Sequence, residues 1–157
     1  MLTLVKLYKT HIKGTPEKSV VINLTIHLCN LTNAVKKAGK FNVHRVYITT
    51  KVIKHLYDSK PAEEFDFIVH NLPSIVKYPQ HIYENKQGKR GELGFVKEIN
   101  NITYFCSVEK TDELDPKDGN SGMNYIVTTF RLRPAKKDNY LKNYRLLWSW
   151  KGDIPSS

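Results

Sequence analysis

Two cysteines in 157 residues, Cys29 and Cys106, lie far apart, with no CxxC or Cys/His spacing around either. That scarcity excludes a disulfide scaffold and a zinc module. Each cysteine sits in an apolar run, where a free thiol packs as a small hydrophobe, and a reducing compartment suits both. No apolar run approaches the roughly 20 residues of a membrane helix. "MLTLVKLYKTHIKG" breaks its apolar character with Lys6 and Lys9 before the hydrophobic part of a signal peptide can form. These absences predict a soluble, cytoplasmic protein with no membrane partner.

Motifs for several chemistries are missing as well. Gly88, Gly91 and Gly94 form neither a Walker loop nor a dinucleotide fingerprint. "DELDPKDGN" lacks the spacing of a calcium loop. The six histidines make no HxxxH or HxH pair, so the expectation is no metal and no cofactor. No GxSxG elbow is present, and neither cysteine has a nucleophile signature.

Acidic residues are also short. Against 25 Lys and Arg stand 15 Asp and Glu, a net charge of +10 and a pI near 9.5. The surplus is uneven: residues 1–60 carry +9, residues 61–120 carry −4, and residues 121–157 carry +5. Basic ends around an acidic middle suggest a patch, and a partner rich in phosphate is its natural complement. At this length the chain is a single domain with a core of its own.

Local patterns give the coarse architecture. Residues 15–39 support two readings. Val20, Ile22, Leu24, Ile26 and Leu28 alternate as in a strand, while Val20, Leu24, Leu28, Leu31 and Val35 keep helical spacing. Thr15, Pro16 and Glu17 resemble a helix start and Gly39 a terminator, so the ends favour a long helix. "FNVHRVYITT" reads as a strand, and Thr49 or Thr50 can cap the helix "KVIKHLYDS". A helix beginning after Pro61 should be kinked or split at Pro73. Strands follow in "QHIYENK", "LGFVKEI", "ITYFCSVEK" and "MNYIVTTFRL", with residues 111–122 as a polar loop and "DNYLKNYRLLWSW" as a final helix. Helices first and a meander afterwards define an α+β domain, N-terminal helices packed on a roughly four-stranded antiparallel sheet.

The chemistry-bearing residues gather on the sheet half. Lys86, Lys89, Arg90 and Lys97 lie in "ENKQGKRGELGFVKEI", and Thr128, Thr129, Arg131 and Arg133 line the last strand. Tyr83, Tyr104 and Tyr125 could stack on bases or donate hydrogen bonds. For Lys86 and Lys89 a solvated turn is the simpler reading. Lys97 shares a strand face with Phe95 and Ile99, an odd place for a charge unless that face is a cleft. On the wheel of "KVIKHLYDS", Val52, Ile53 and Leu56 form the apolar stripe and His55 falls on its border. Taken alone, His55 is read more simply as a partly buried structural histidine than as an acid–base group.

Together, "KHL", the "P..IY.N..GKRG" hairpin, the "FVK" strand and the late Thr-Thr-aromatic strand resemble a known group. They are similar to the phage-associated members of the Barnase–EndoU–Colicin–RelE (BECR) ribonucleases. The likeness covers residues 45–132, a nuclease core between a basic helical part, residues 1–44, and an aromatic tail, residues 133–157. It implies a metal-independent endoribonuclease of toxin-like character, bacterial or phage-encoded, that acts in its own cell or is delivered to another. Its substrate would be RNA, tRNA included, with an acidic antitoxin or immunity protein as partner. In such enzymes a ribose 2′-OH attacks the adjacent phosphate and leaves a 2′,3′-cyclic phosphate. By the resemblance His55 is the acid–base residue, Arg90 and Lys97 bind the scissile phosphate, and Thr128 hydrogen-bonds that phosphate or orients the histidine, with Thr129 as the one-residue alternative. His81, Glu109 and Tyr104 are the alternatives for a second acid or base. Lys51, Lys54, Lys89, Tyr83, Tyr125 and Arg131 would hold the substrate. The rivals are a non-catalytic RNA- or DNA-binding module and an interaction domain for an acidic partner.

Overall fold

A computed structural model describes residues 3–86, 92–114 and 121–150. The chain forms α1 (Leu4–His11), β1 (Thr25–Asn30), α2 (Asn33–Ala38), β2 (Arg45–Thr49), α3 (Thr50–Ser59) and α4 (Ala62–Lys77). There follow β3 (His81–Asn85), β4 (Glu92–Ile99), β5 (Ile102–Leu114), β6 (Ser121–Arg131), α5 (Pro134–Leu141) and β7 (Tyr144–Ser149).

The α+β class is right, but the sheet has seven strands in the order β1-β2-β6-β5-β4-β3-β7, not four. β3 to β6 make the antiparallel meander at its centre. β2 joins it parallel to β6, with Val46 opposite Asn124 and Tyr47 opposite Tyr125, and β7 extends the other edge from β3. The sheet is therefore mixed.

Most of the enlargement comes from segments expected to be helical. In residues 15–39 the alternating pattern wins. Ile26, which the helical stripe lacks, is buried in β1 as it pairs antiparallel with β2, and Val20, which that stripe requires, is 97% exposed. The presumed helix start is a turn instead: the Thr15 hydroxyl donates to Ile12 O at 2.6 Å and Lys18 takes a left-handed φ of 62°. Only the last third is helix, α2, where the Thr32 hydroxyl accepts from Val35 N. The tail divides likewise. Pro134 opens α5 at a position that needs no N–H, and "YRLLWS" becomes β7 because the edge of β3 offers it backbone partners.

Two further expectations change. α4 runs unbroken through Pro73, held on both sides of it by Leu72, Ile75 and Val76, all fully buried. Residues Thr111–Leu114 and Ser121–Gly122 extend β5 and β6 rather than forming loop, and residues 115–120 lie outside the described residues. β2, α3, β3 and β4 match their expected segments. Thr49 caps α3 by accepting from Val52 N at 3.2 Å. Asn100 and Asn101, at φ 53° and 65°, make the tight turn from β4 to β5.

The sheet has two unlike faces. Leu93, Phe95, Tyr104, Cys106, Val108 and Ile126 point into the main core beneath α1, α3 and α4. Val96, Phe105, Phe130 and Leu132 form a smaller cluster on the opposite face, joined by Leu141 of α5 and Tyr144 of β7. We call these the inner and outer faces. Gly94 is required on the outer face, because a Cβ there would collide with the buried Phe105 ring.

Candidate nucleic-acid interface

Strand register decides which of the expected site residues can meet. Lys97 pairs with Tyr104, which pairs with Arg131, so these three stand in a row on the inner face under α4. Gly94 pairs with Ser107, which pairs with Thr128, and that row points outward. Lys97 and Thr128 therefore lie on opposite faces of the sheet. Thr129 shares the Lys97 face, but it is fully buried and its hydroxyl donates to Phe105 O at 3.0 Å. Tyr104 is also fully buried, stacked on Phe67 at 4.6 Å, and its hydroxyl has no hydrogen-bond partner among the described residues. It is a wall of the core rather than an accessible acid.

The other expected residues divide the same way. His81, Tyr83, Glu109 and Tyr125 belong to the outer face: His81 Nδ1 lies 2.8 Å from Ser149 Oγ, and the Tyr125 hydroxyl donates to Met123 Sδ. Glu109 stands between Glu92 and Tyr125 in the register, and the Ser107 hydroxyl donates to Glu92 Oε1. Burial pushes the Tyr83 hydroxyl up from its ordinary pKa. Arg90 and Lys89 lie outside the described residues. Lys54, expected on the substrate surface, is buried; its ammonium donates to Asp58 Oδ1 at 2.6 Å and to Pro16 O at 2.7 Å.

His55 and Lys51 stay exposed on α3, one turn apart. α3 begins beside the last β2–β6 pair, Tyr47 with Tyr125, and its final residue, Ser59, lies in a cleft beside Phe130 and Arg131. Ten helical residues cover about 15 Å, the length of roughly five strand residues. The helix thus travels along β6, and His55 stands midway, one turn before Ser59, whose hydroxyl donates to His55 O at 2.7 Å.

That cleft is a strongly basic concavity. About 350 Å³ in volume, it is enclosed by the α3–α4 junction (Ser59, Lys60, Pro61, Glu64), the end of β6 and the start of α5. Lys60, Arg131, Arg133 and Lys136 face one acid, Glu64. Arg131 Nε lies 3.9 Å and Arg133 Nη2 4.0 Å from Glu64 Oε1, while the Lys60 ammonium sits over the Phe130 ring at 5.5 Å. Glu64 is buried and sets the arginine side chains; four cations against one carboxylate leave the cleft a net +3.

Arg131 and Arg133 were legible in the sequence. Lys60, Glu64 and Lys136 were not, since they come from three elements that only the fold unites. Lys97 opens elsewhere, on an aromatic pocket at the far end of its row. Its Nζ donates to Ser74 Oγ at 3.3 Å, and desolvation holds its pKa below the ordinary lysine value.

Neither thiol is poised for chemistry. Burial pushes Cys29 up to about 12 and Cys106 higher still. No group of three or more metal-ligating side chains occurs among the described residues. Nor is any described helix long and apolar enough to cross a membrane. Fold and cleft together define an α+β protein with a mixed sheet and a cationic groove at its edge. Comparisons with protein-family models, curated proteins and solved structures find no match. The BECR likeness thus rests on its short motifs alone.

Proposed function

We propose that the chain is a metal-independent endoribonuclease. RNA phosphates lie in the Lys60–Arg131–Arg133–Lys136 cleft, and His55, one helical turn along its rim, supplies acid–base chemistry. The observation that carries this reading is the cleft itself, a net +3 concavity whose lining residue Ser59 follows the exposed His55 by one helical turn of α3. The ribose 2′-hydroxyl gives its proton to the His55 imidazole as O2′ bonds to phosphorus. The P–O5′ bond then breaks and the departing oxygen takes a proton from solvent, leaving a 2′,3′-cyclic phosphate. Guanidinium groups stabilise the charge that gathers on the non-bridging oxygens. DNA lacks the nucleophile and is spared.

The register favours a second reading, RNA binding without cleavage, because Lys97 and Thr128 face opposite sides of the sheet. One assay separates the two. Purified protein is incubated with total RNA in EDTA beside His55→Ala. Cyclic-phosphate ends, reduced about 10²- to 10⁴-fold in the variant, support the nuclease. Intact RNA, tightly bound, establishes the binder. Equal cleavage by His55→Ala removes that residue from the mechanism.

A further inference from the structure

The chain's two tryptophans, Trp148 and Trp150, line one pocket. About 410 Å³ in volume, it falls within the ~300–1,000 Å³ range of small-molecule sites. Thr32, Ala34 and Val35 of α2 form one wall, the end of α4 through Gln80 another, and Lys97 the floor. Trp150 and Tyr78, both large aromatics, are 54% and 57% exposed. Two ammonium groups approach the Tyr78 ring, Lys77 at 5.6 Å and Lys97 at 5.7 Å.

Each feature has a consequence for the ligand. A lysine ammonium has three donors. Lys97 directs one, at a long 3.3 Å, to Ser74 Oγ while half-buried. A cation so placed favours an anion that restores its solvation, and Lys77 adds a second positive charge. Exposed rings beside the cations offer a face to a planar, polarisable group. The side-chain acceptors are engaged: Gln80 Oε1 accepts from Glu98 N at 2.6 Å, and the Thr32 hydroxyl oxygen accepts from Val35 N at 3.2 Å. The walls therefore present rings and charge but little that could read a base edge.

We infer that this pocket binds one unpaired nucleotide, its base stacked on Tyr78 and Trp150 and its phosphate on Lys97 and Lys77, with little preference among bases. The inference deepens the RNA reading by adding a subsite at the opposite end of the Lys97–Tyr104–Arg131 row from the basic cleft. Stacking on aromatic side chains is tolerant of sequence, as such a site requires.

Because both tryptophans line the pocket, intrinsic fluorescence reports on it directly. Wild type and Tyr78→Ala, an exposed position whose loss leaves the core intact, are titrated with AMP, UMP, ribose 5-phosphate, inorganic phosphate, a glutamate peptide and a short single-stranded RNA. Saturable quenching by AMP, UMP and RNA supports the inference, with affinity about 5- to 150-fold weaker in Tyr78→Ala. A matching loss in Lys97→Met supports the phosphate contact. No quenching by nucleotides overturns the inference. So does equal quenching by the phosphate controls or the peptide, or binding indifferent to Tyr78→Ala. RNA cleaved with silent tryptophans sinks the pocket and spares the nuclease. Nucleotide quenching without RNA cleavage does the reverse.

Discussion

Lys54 shows how one side chain can look functional in sequence and be structural in the fold. Its ammonium is buried between Asp58 Oδ1 and Pro16 O, and Asp58 Oδ2 accepts from Lys18 N at 3.0 Å. The pair ties α3 to the turn that replaced the expected helix start. The Lys54 hydrogen bond, with help from Lys18 N, holds the Asp58 carboxyl below its ordinary value of 3.8. A carboxylate depressed on folding adds stability above its unfolded pKa, and that stability is lost as pH falls through the folded value. The protein should therefore lose stability on acidification below about pH 4. Asp58→Asn should flatten that acid limb in urea titrations at stepped pH while changing the neutral-to-alkaline slope little. An unchanged acid limb would mean that the pair does not couple folding to protons.

At the scale of elements, residues 15–39 hold the informative failure. Helical and strand spacing were both present, and the decision turned on caps. Thr15, Pro16 and Glu17 do make a turn, but Lys18 at φ 62° leaves the helical region at once. Whether a strand forms there depends on the free edge of β2, which no local pattern contains. The competing assignments differ in what a mutation costs. Ile26→Ala, in the core, should cost about 2–4 kcal/mol. Val20→Ala and Ile22→Ala, both exposed, should stay within about 0.5 kcal/mol. A helical 15–39 would reverse that ranking for Val20, and urea midpoints decide it. By contrast α3, the start of α4 and the central lengths of β3 to β6 were legible, because periodicity and turn signals agree there, while the unbroken run of α4 through Pro73 was not. In the site, the cations of β6 were legible and the partners from α3, α4 and α5 were not. A cleft between elements has no sequence period.

For the whole molecule, the question is where a surplus of ten positive charges acts. The outer face does not invite phosphate at its centre, since it sets Glu92 beside Glu109 in register. The inner face is core. Besides the exposed lysines spread over residues 1–60, cations gather in two concave places, the cleft at the end of β6 and, more sparsely, the pocket around Tyr78. RNA binding should therefore depend on a few rim contacts rather than on diffuse attraction. Each phosphate neutralised releases counterions, so the logarithm of the binding constant falls linearly with the logarithm of salt concentration, by about 0.7 per contact on single strands. Removing Arg133 and Lys136 together should weaken binding uniformly across RNA sequences and reduce that slope by about 1.4. Lys9→Ala with Lys13→Ala, the same charge change on the exposed side chains near α1, should leave the slope almost unaltered. Filter binding across a salt series distinguishes the two pairs. Equal slope changes in both would mean that net charge, and not the cleft, attracts the RNA.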